Sequence, residues 1–255
     1  MSNLEQYRAS ESEKMRTSDL LGLIPEAGRN ALDVGAREGF FSRLLAERFD
    51  SVTALDLSVP HVDHPRVTNV AGDVTKLQFP DNSFDFVFCA EVLEHIPDLA
   101  QACSELARVA KRHVLIGVPF QQDLRLYKTL CRSCGKHNPP YGHVNSFTDD
   151  RLRGLFPGLE AEKVSLVGQR HEATNWLADF LMDLGQNPWG TYTQDEPCIH
   201  CGAPLQPPVA PNLAAKLGAR LIAIQSRISS PSANWIHVLF SKRAAAPSVD
   251  LPRAA

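Results

Sequence analysis

The chain has 255 residues, 44% of them hydrophobic and 22% charged, with a net charge of −3. This size fits one large α/β core with elaborations, and the absence of a net basic balance or a visible basic patch argues against nucleic acid as substrate. No stretch approaches the roughly 18 apolar residues needed to span a bilayer and residues 1–16 lack a signal-peptide core, so a cytoplasmic, reducing location without a membrane span is expected.

Residues 1–28 read as an N-terminal helical segment in which Leu20, Leu21, Leu23 and Ile24 gather before Pro25 breaks the pattern. A first strand is expected at 30–34, then a glycine turn and a helix at 40–48. Further strands follow at 51–55, ending at Asp56, at 67–71, ending near Gly72 and Asp73, at 84–88 and at 114–118, with a helix at 99–110. Strands at 161–167 and 235–240 bring the number to seven. Short strands alternating with helices indicate a Rossmann-like, doubly wound and mostly parallel sheet, with one domain over 29–243. Such sheets bind ligands at the carboxyl ends of their strands, which directs attention to 35–39, Asp56, Asp73 and 89–95.

Two insertions, 121–147 and 171–230, interrupt the pattern after the fifth and sixth strands. The first lacks any helical or strand period and holds Cys131, Cys134, His137, the Pro139-Pro140 break and His143. A short helix over 148–156 follows, with Thr148 only a weak cap. The second insertion carries a helix at 174–184, then Cys198 and Cys201, then an amphipathic helix at 213–228 suited to pack on the core or on a second subunit. A Cys-x-x-Cys turn aims two thiolates at one ion, and two such turns close a tetrahedral structural zinc site. His137, His143 or His200 could replace one cysteine. A redox role would place a pair at a helix N-terminus, whereas both pairs fall in loops. Cys89 and Cys103 stand inside apolar patterns as small core residues. The Ala- and Pro-rich tail, 244–255, is expected to be disordered.

Asp33-Val-Gly-Ala-Arg-Glu-Gly39 resembles the first motif of class I S-adenosylmethionine (SAM)-dependent methyltransferases, and 72–74, 79–85 and 90–96 resemble the later motifs of that family in order and spacing. The resemblance covers about residues 30–120. It implies that Asp33, Gly35, Ala36, Arg37 and Gly39 form the turn shaping the pocket for the methionine part of SAM. It further implies that Asp56 binds the ribose hydroxyls beside Leu57, that Asp73 and Val74 face the adenine, and that Cys89 and Ala90 lie near the transferable methyl. One departure stands out: Arg37 replaces the family's middle glycine, and it either turns outward or reaches the cofactor carboxylate. An NAD-binding Gly-x-Gly-x-x-Gly turn is absent.

An oxygen nucleophile often needs a base. The candidates are His95 and His143, with Glu91 and Glu94 nearby; His95 also suits a capping or packing role, and His143 a loop-ordering one. The similar motif in quinone-ring O-methyltransferases implies an alternative in which Glu91, Glu94 and His95 hold a divalent ion against a catechol-like acceptor. The expected function is methyl transfer from SAM to a hydroxyl of a small-molecule, sugar or lipid-linked acceptor, with zinc-tied insertions forming a wall over the acceptor pocket. Two alternatives remain: a protein or RNA methyltransferase that uses the zinc module for recognition, and a catalytically silent SAM-binding protein. Oligomeric state is not encoded legibly.

Overall fold

The computed structural model describes residues 10–194, 196–208 and 210–242; the expected tail at 244–255 lies outside them. Helix α1 (Glu11–Leu23) starts at Ser10, whose hydroxyl accepts from the Glu13 N–H, and ends at Ile24 ahead of Pro25. Then follow β1 (Gly28–Val34), α2 (Phe40–Leu45), β2 (Phe49–Asp56), β3 (Val67–Ala71), β4 (Phe84–Ala90), α3 (Leu99–Val109) and β5 (Ala110–Pro119). The remaining elements are β6 (Thr129–Leu130), β7 (His137–Asn138), α4 (Asp149–Gly154), β8 (Leu159–Val167), α5 (Trp176–Leu184), α6 (Leu213–Ile228) and β9 (Trp235–Lys242).

Seven strands form one sheet in the order β3-β2-β1-β4-β5-β9-β8. Strands β1 to β5 pair in parallel and β9 runs antiparallel to both of its neighbours. This is the mostly parallel α/β sheet expected from the sequence. Its central strands are covered on both faces, so their buried residues run consecutively instead of alternating with polar ones. Along β4, Phe86 and Phe88 point to one face with Leu20, Leu45 and Leu115, while Val87 and Cys89 point to the other with Leu106, Val114 and Ile116. The order reverses between β1 and β4, which opens a crevice at their carboxyl ends.

The insertions hold more structure than their sequences indicate. Within 121–147, β6 and β7 pair as a small hairpin, Thr129 opposite Asn138 and Leu130 opposite His137. Thr148 does cap α4, accepting from the Arg151 N–H at 3.1 Å. In the second insertion α5 and α6 cross closely: a Cβ on Gly185 would lie 2.4 Å from the Ala215 Cβ, and one on Gly218 would lie 3.0 Å from Met182 Cγ. Only glycine admits that approach.

Helix α1 is fastened to the mouth of the sheet by charge. Arg16 makes paired bonds to Glu13 at 2.8 and 2.6 Å, lies 3.9 Å from a Glu91 oxygen, and sits over the rings of Phe41 and Trp235. Asp19 accepts from Ser165 Oγ at 2.6 Å and meets His237 Nδ1 at 2.6 Å. Removing one member of a buried pair leaves its partner's charge uncompensated, which costs about 3–5 kcal/mol. Arg16→Met is therefore expected to lower unfolding free energy by about 3–5 kcal/mol in urea melts, with much of the loss recovered in the Glu13→Gln/Arg16→Met double variant.

Candidate active site

The first half of the site grows from the turn after β1. Gly35 and Gly39 both have φ of +76°. A Cβ at Gly35 would lie 2.3 Å from Val92 Cγ2, and one at Gly39 2.1 Å from Val62 Cγ2, so conformation and space both demand glycine. Asp56, at the end of β2, holds this turn open. Its two carboxylate oxygens accept from the Arg37 N–H at 2.9 Å and the Leu57 N–H at 2.7 Å. Each oxygen keeps a lone pair for a further donor. A cleft of about 460 Å³ is lined here by Arg37, Glu38, Asp56, Val59, Pro60 and His61.

Asp33 is buried and accepts from Ser42 Oγ at 2.5 Å. Burial pushes its carboxyl up to about 7, with the Ser42 hydrogen bond opposing. Asp73, just beyond β3, accepts from the N–H and the hydroxyl of Thr75, both at 2.8 Å. Val74 is buried and Leu57 exposed. Cys89, one residue before the end of β4, lies fully in the core, where burial raises its thiol pKa. The thiol of Cys103 is likewise pushed up by burial, to about 12, so both behave as core residues.

Arg37 has φ +49°, its side chain is two-thirds exposed and lines the cleft over Asp56, and its guanidinium lies 3.8 Å from Glu196, beside the second cysteine loop.

The second half of the site follows β4. Glu91 (φ +57°) donates its N–H to the Gly117 carbonyl, and a single 3-10 turn, Leu93–His95, follows. The returning loop of the first insertion grips that turn. Val144 and Asn145 N–H both donate to the Glu94 carbonyl, and the Asn145 amide donates to the carbonyls of Leu93 and Ile96. This grip sets His143 edge-on to His95, ring centroids 4.7 Å apart. His143 Nδ1 donates to Gln122 Oε1 at 2.6 Å, which leaves Nε2 as the lone-pair nitrogen. Burial, with a smaller push from His95, drives His143 down to about 3, and burial also lowers His95.

Glu94 is fully buried, and neither of its carboxylate oxygens has a hydrogen-bond partner among the described residues. Burial first, then the neighbouring Glu91, holds its pKa well above the carboxylate range. One ligand atom from each of Glu94, His95 and His143 falls within 4.8 Å of the others. Glu91 is not in this group; its Oε2 accepts from Trp235 Nε1 at 3.4 Å. Gln122 and Glu196 escaped sequence reasoning, since each acts through a partner far away in the chain; Arg16 escaped it although Glu13 is only three residues away.

The four cysteines converge as their spacing indicates. The Sγ atoms of Cys131 and Cys201 are 3.7 Å apart, as are those of Cys134 and Cys198, and all four lie within 4.8 Å of one another. These are free thiols, not disulfides. A tetrahedron with Zn–S bonds of about 2.3 Å has edges of about 3.8 Å, so the spacing fits that ion. Each pair sits in a matching knuckle: Gly135 N–H bonds the Cys131 carbonyl and Gly202 N–H the Cys198 carbonyl, both at 2.8 Å and both with positive φ. The group contains no histidine. His200 Nε2 instead meets the His137 carbonyl at 3.0 Å, and His137 faces Asp183.

Residues 32–116 match the family model described as a methyltransferase domain. That match covers a third of the chain, and the seven-stranded, mostly parallel sheet with its glycine turn is compatible with it. Among the relatives, the chain is 37% identical over 98 residues to a malonyl-[acyl-carrier protein] O-methyltransferase of Serratia marcescens, covering 36% of this chain and 38% of that protein. It is 31% identical over 101 residues to a ubiquinone biosynthesis O-methyltransferase of Paracidovorax citrulli, covering 35% of this chain and 42% of that one. The chain thus spans less than half the length of these relatives. A SAM-dependent methyltransferase structure from Mesorhizobium loti superposes with a TM-score of 0.51 at 16% identity, over 88% of this chain and 96% of that one, a likeness of fold.

An L-residue in the left-handed region costs roughly 1–2 kcal/mol, whereas an exposed ion pair such as Arg37–Glu196 contributes about 0–1 kcal/mol. Arg37→Gly is therefore expected to raise the thermal midpoint of unfolding. A clear fall would show that the Arg37–Glu196 link outweighs the backbone strain.

Proposed function

We propose that this protein transfers a methyl group from SAM to a hydroxyl of a small-molecule, sugar or lipid-linked acceptor. The observation that carries the reading is the lone-pair Nε2 of His143, its ring pinned by Gln122 and His95 where the crevice opens after β4. SAM, when bound, supplies an electrophilic methyl on a sulfonium. The residues that would hold it are Gly35, Ala36, Arg37 and Gly39 around the turn, Asp33 behind it, Asp56 with its free lone pairs toward ribose hydroxyls, Leu57 beside the base, and Asp73 and Val74 at the next strand end. The positive-φ glycine turn and the cleft over Asp56 fit such a group. Methyl transfer depends chiefly on alignment, and the rigid clasp of the 143–145 segment on the 93–96 turn serves that end. His143 Nε2 receives the acceptor's hydroxyl proton while Gln122 fixes the ring's tautomer.

Because burial lowers His143, its ring is neutral until pH falls through about 3, not near 6.5, and its proton-accepting strength is correspondingly reduced. In a labelled-methyl transfer screen, His143→Ala is expected to lower kcat by about 10²–10⁴-fold with SAM affinity intact. The wild-type rate is expected to show no acid limb near the ordinary histidine value of 6.5. SAM binding without any transfer across acceptor classes would favour the silent-binder reading instead.

A second role for the same corner is supported by Glu94, whose buried oxygens lack partners beside His95 and His143. These three residues suit a divalent cation that would orient a catechol-like acceptor. Under that role, transfer is stimulated by added Mg²⁺ or Mn²⁺, and Glu94→Gln abolishes the stimulation.

The cysteine quartet is read as a structural zinc site that ties the two insertions into a wall on the acceptor side, held further by Arg37–Glu196. Metal analysis is expected to find one zinc per chain, lost in Cys131→Ser. Chelation is expected to raise the acceptor KM well before it alters SAM affinity; the opposite order would refute the wall. A protein or RNA acceptor recognised by this module would appear in the same screen as transfer to macromolecule alone.

A further inference from the structure

The α5–α6 hairpin turns a strongly apolar face outward. On α5, Trp176 is 75% exposed and Phe180 and Leu184 more than half exposed. On α6, the exposed large residues are Leu213, Leu217, Ile224 and Ile228, the last at 80%. At about 100° per residue these four fall within an arc of about 60°. Lys216, Arg220 and Arg227 occupy a second arc of about 40°, immediately beside the first, and all three are exposed. The buried side of α6, Ala215 and Gly218, is already spent against α5. The outward face is therefore not turned toward the core, and it exceeds the scattered apolar exposure that needs no explanation.

The charge pattern says what covers it. Helix α6 contains no acidic residue, although the chain as a whole carries a net charge of −3. The acids of α5, Asp179 and Asp183, are already paired with Lys128 at 2.6 and 2.8 Å. A second copy docking through α6 about a two-fold axis that sets the two helices antiparallel would bring each basic ridge against its own equivalent, a like-charge contact. An apolar ridge flanked by Lys and Arg matches a surface with an oily interior and anionic headgroups. No described helix is long and apolar enough to cross a membrane, so such an attachment lies on the surface.

We propose that the α5–α6 hairpin docks the protein peripherally on anionic lipid membranes, with Trp176, Phe180 and the α6 apolar ridge entering the interface and Lys216, Arg220 and Arg227 meeting the headgroups. Lys128 joins α5 to the hairpin of the first cysteine pair, so docking holds the acceptor wall near the bilayer. The inference stands apart from methyl transfer, since its assay contains neither SAM nor acceptor.

The test is co-sedimentation of the whole chain with phosphatidylcholine vesicles, with and without phosphatidylglycerol, combined with tryptophan fluorescence. The expected result is partition and a blue shift on the anionic vesicles only, weakening as salt is raised. Reversing all three charges, Lys216→Glu/Arg220→Glu/Arg227→Glu, is expected to weaken partition by about a hundredfold. Trp176→Ser/Phe180→Ser is expected to weaken it by about tenfold. The charge reversal lies on a solvated ridge, so it decides the matter even if the apolar pair disturbs folding. Failure of the wild type to bind anionic vesicles, or binding indifferent to both variants, overturns the proposal. So does a stable dimer in light scattering that Trp176→Ser/Phe180→Ser dissolves, because a second copy would then be the occupant.

Discussion

The mouth of this sheet depends on one clasp. Where β4 ends, the chain makes a single tight turn in which only the Leu93 carbonyl is met locally, by the Ile96 N–H, and the segment after β5 returns to satisfy those of Glu94 and Ile96. Two backbone amides meet the Glu94 carbonyl, and the Asn145 amide spans those of Leu93 and Ile96. Buried backbone polar groups demand such completion, so the loop has little freedom in where it can lie. The chemistry follows from that fixed position. His143 is carried against His95, and burial lowers the pKa of both rings. The same dehydration pushes the Glu94 carboxyl up, with Glu91 adding to it.

Around this clasp the two sides of the crevice are built differently. The side built on the turn after β1 is made of short-range features: two positive-φ glycines and an aspartate whose carboxylate braces the turn opposite it. The side built on the insertions and α1 is made of long-range ties: four cysteines from two insertions, Arg37 reaching Glu196, Lys128 reaching two aspartates of α5, and Arg16 locking α1 beside Glu91 and Trp235. Such a division suits a scaffold that keeps one ligand constant while the elements around the other vary.

This division also explains what could be read in the sequence. The strands were legible because apolar runs such as 84–88 and 114–118 are local, and those at 51–55 and 67–71 are closed by Asp56 and by Gly72. The glycine turn and Asp56 were legible because their spacing is local too. The quartet of cysteines was legible from two identical short motifs, although the hairpin at β6 and β7 was not, since two-residue strands carry no period. Gln122 and Glu196 were illegible for a different reason: each acts on a partner at least 20 residues away, His143 for one and Arg37 for the other, with no motif to announce it. Arg37 itself showed that a glycine was missing but not where the guanidinium went. The helix at 213–228 showed its amphipathic period, yet only the packing of Gly218 against Met182 reveals which face is covered.

The central claim is that the crevice over Asp56 takes SAM, and calorimetric titration of the purified chain with SAM tests it most directly. The expected result is saturable one-to-one binding, weakened about tenfold or more by Asp56→Asn through loss of a charged hydrogen-bond acceptor. Absence of saturable binding to the folded wild-type protein would contradict the account.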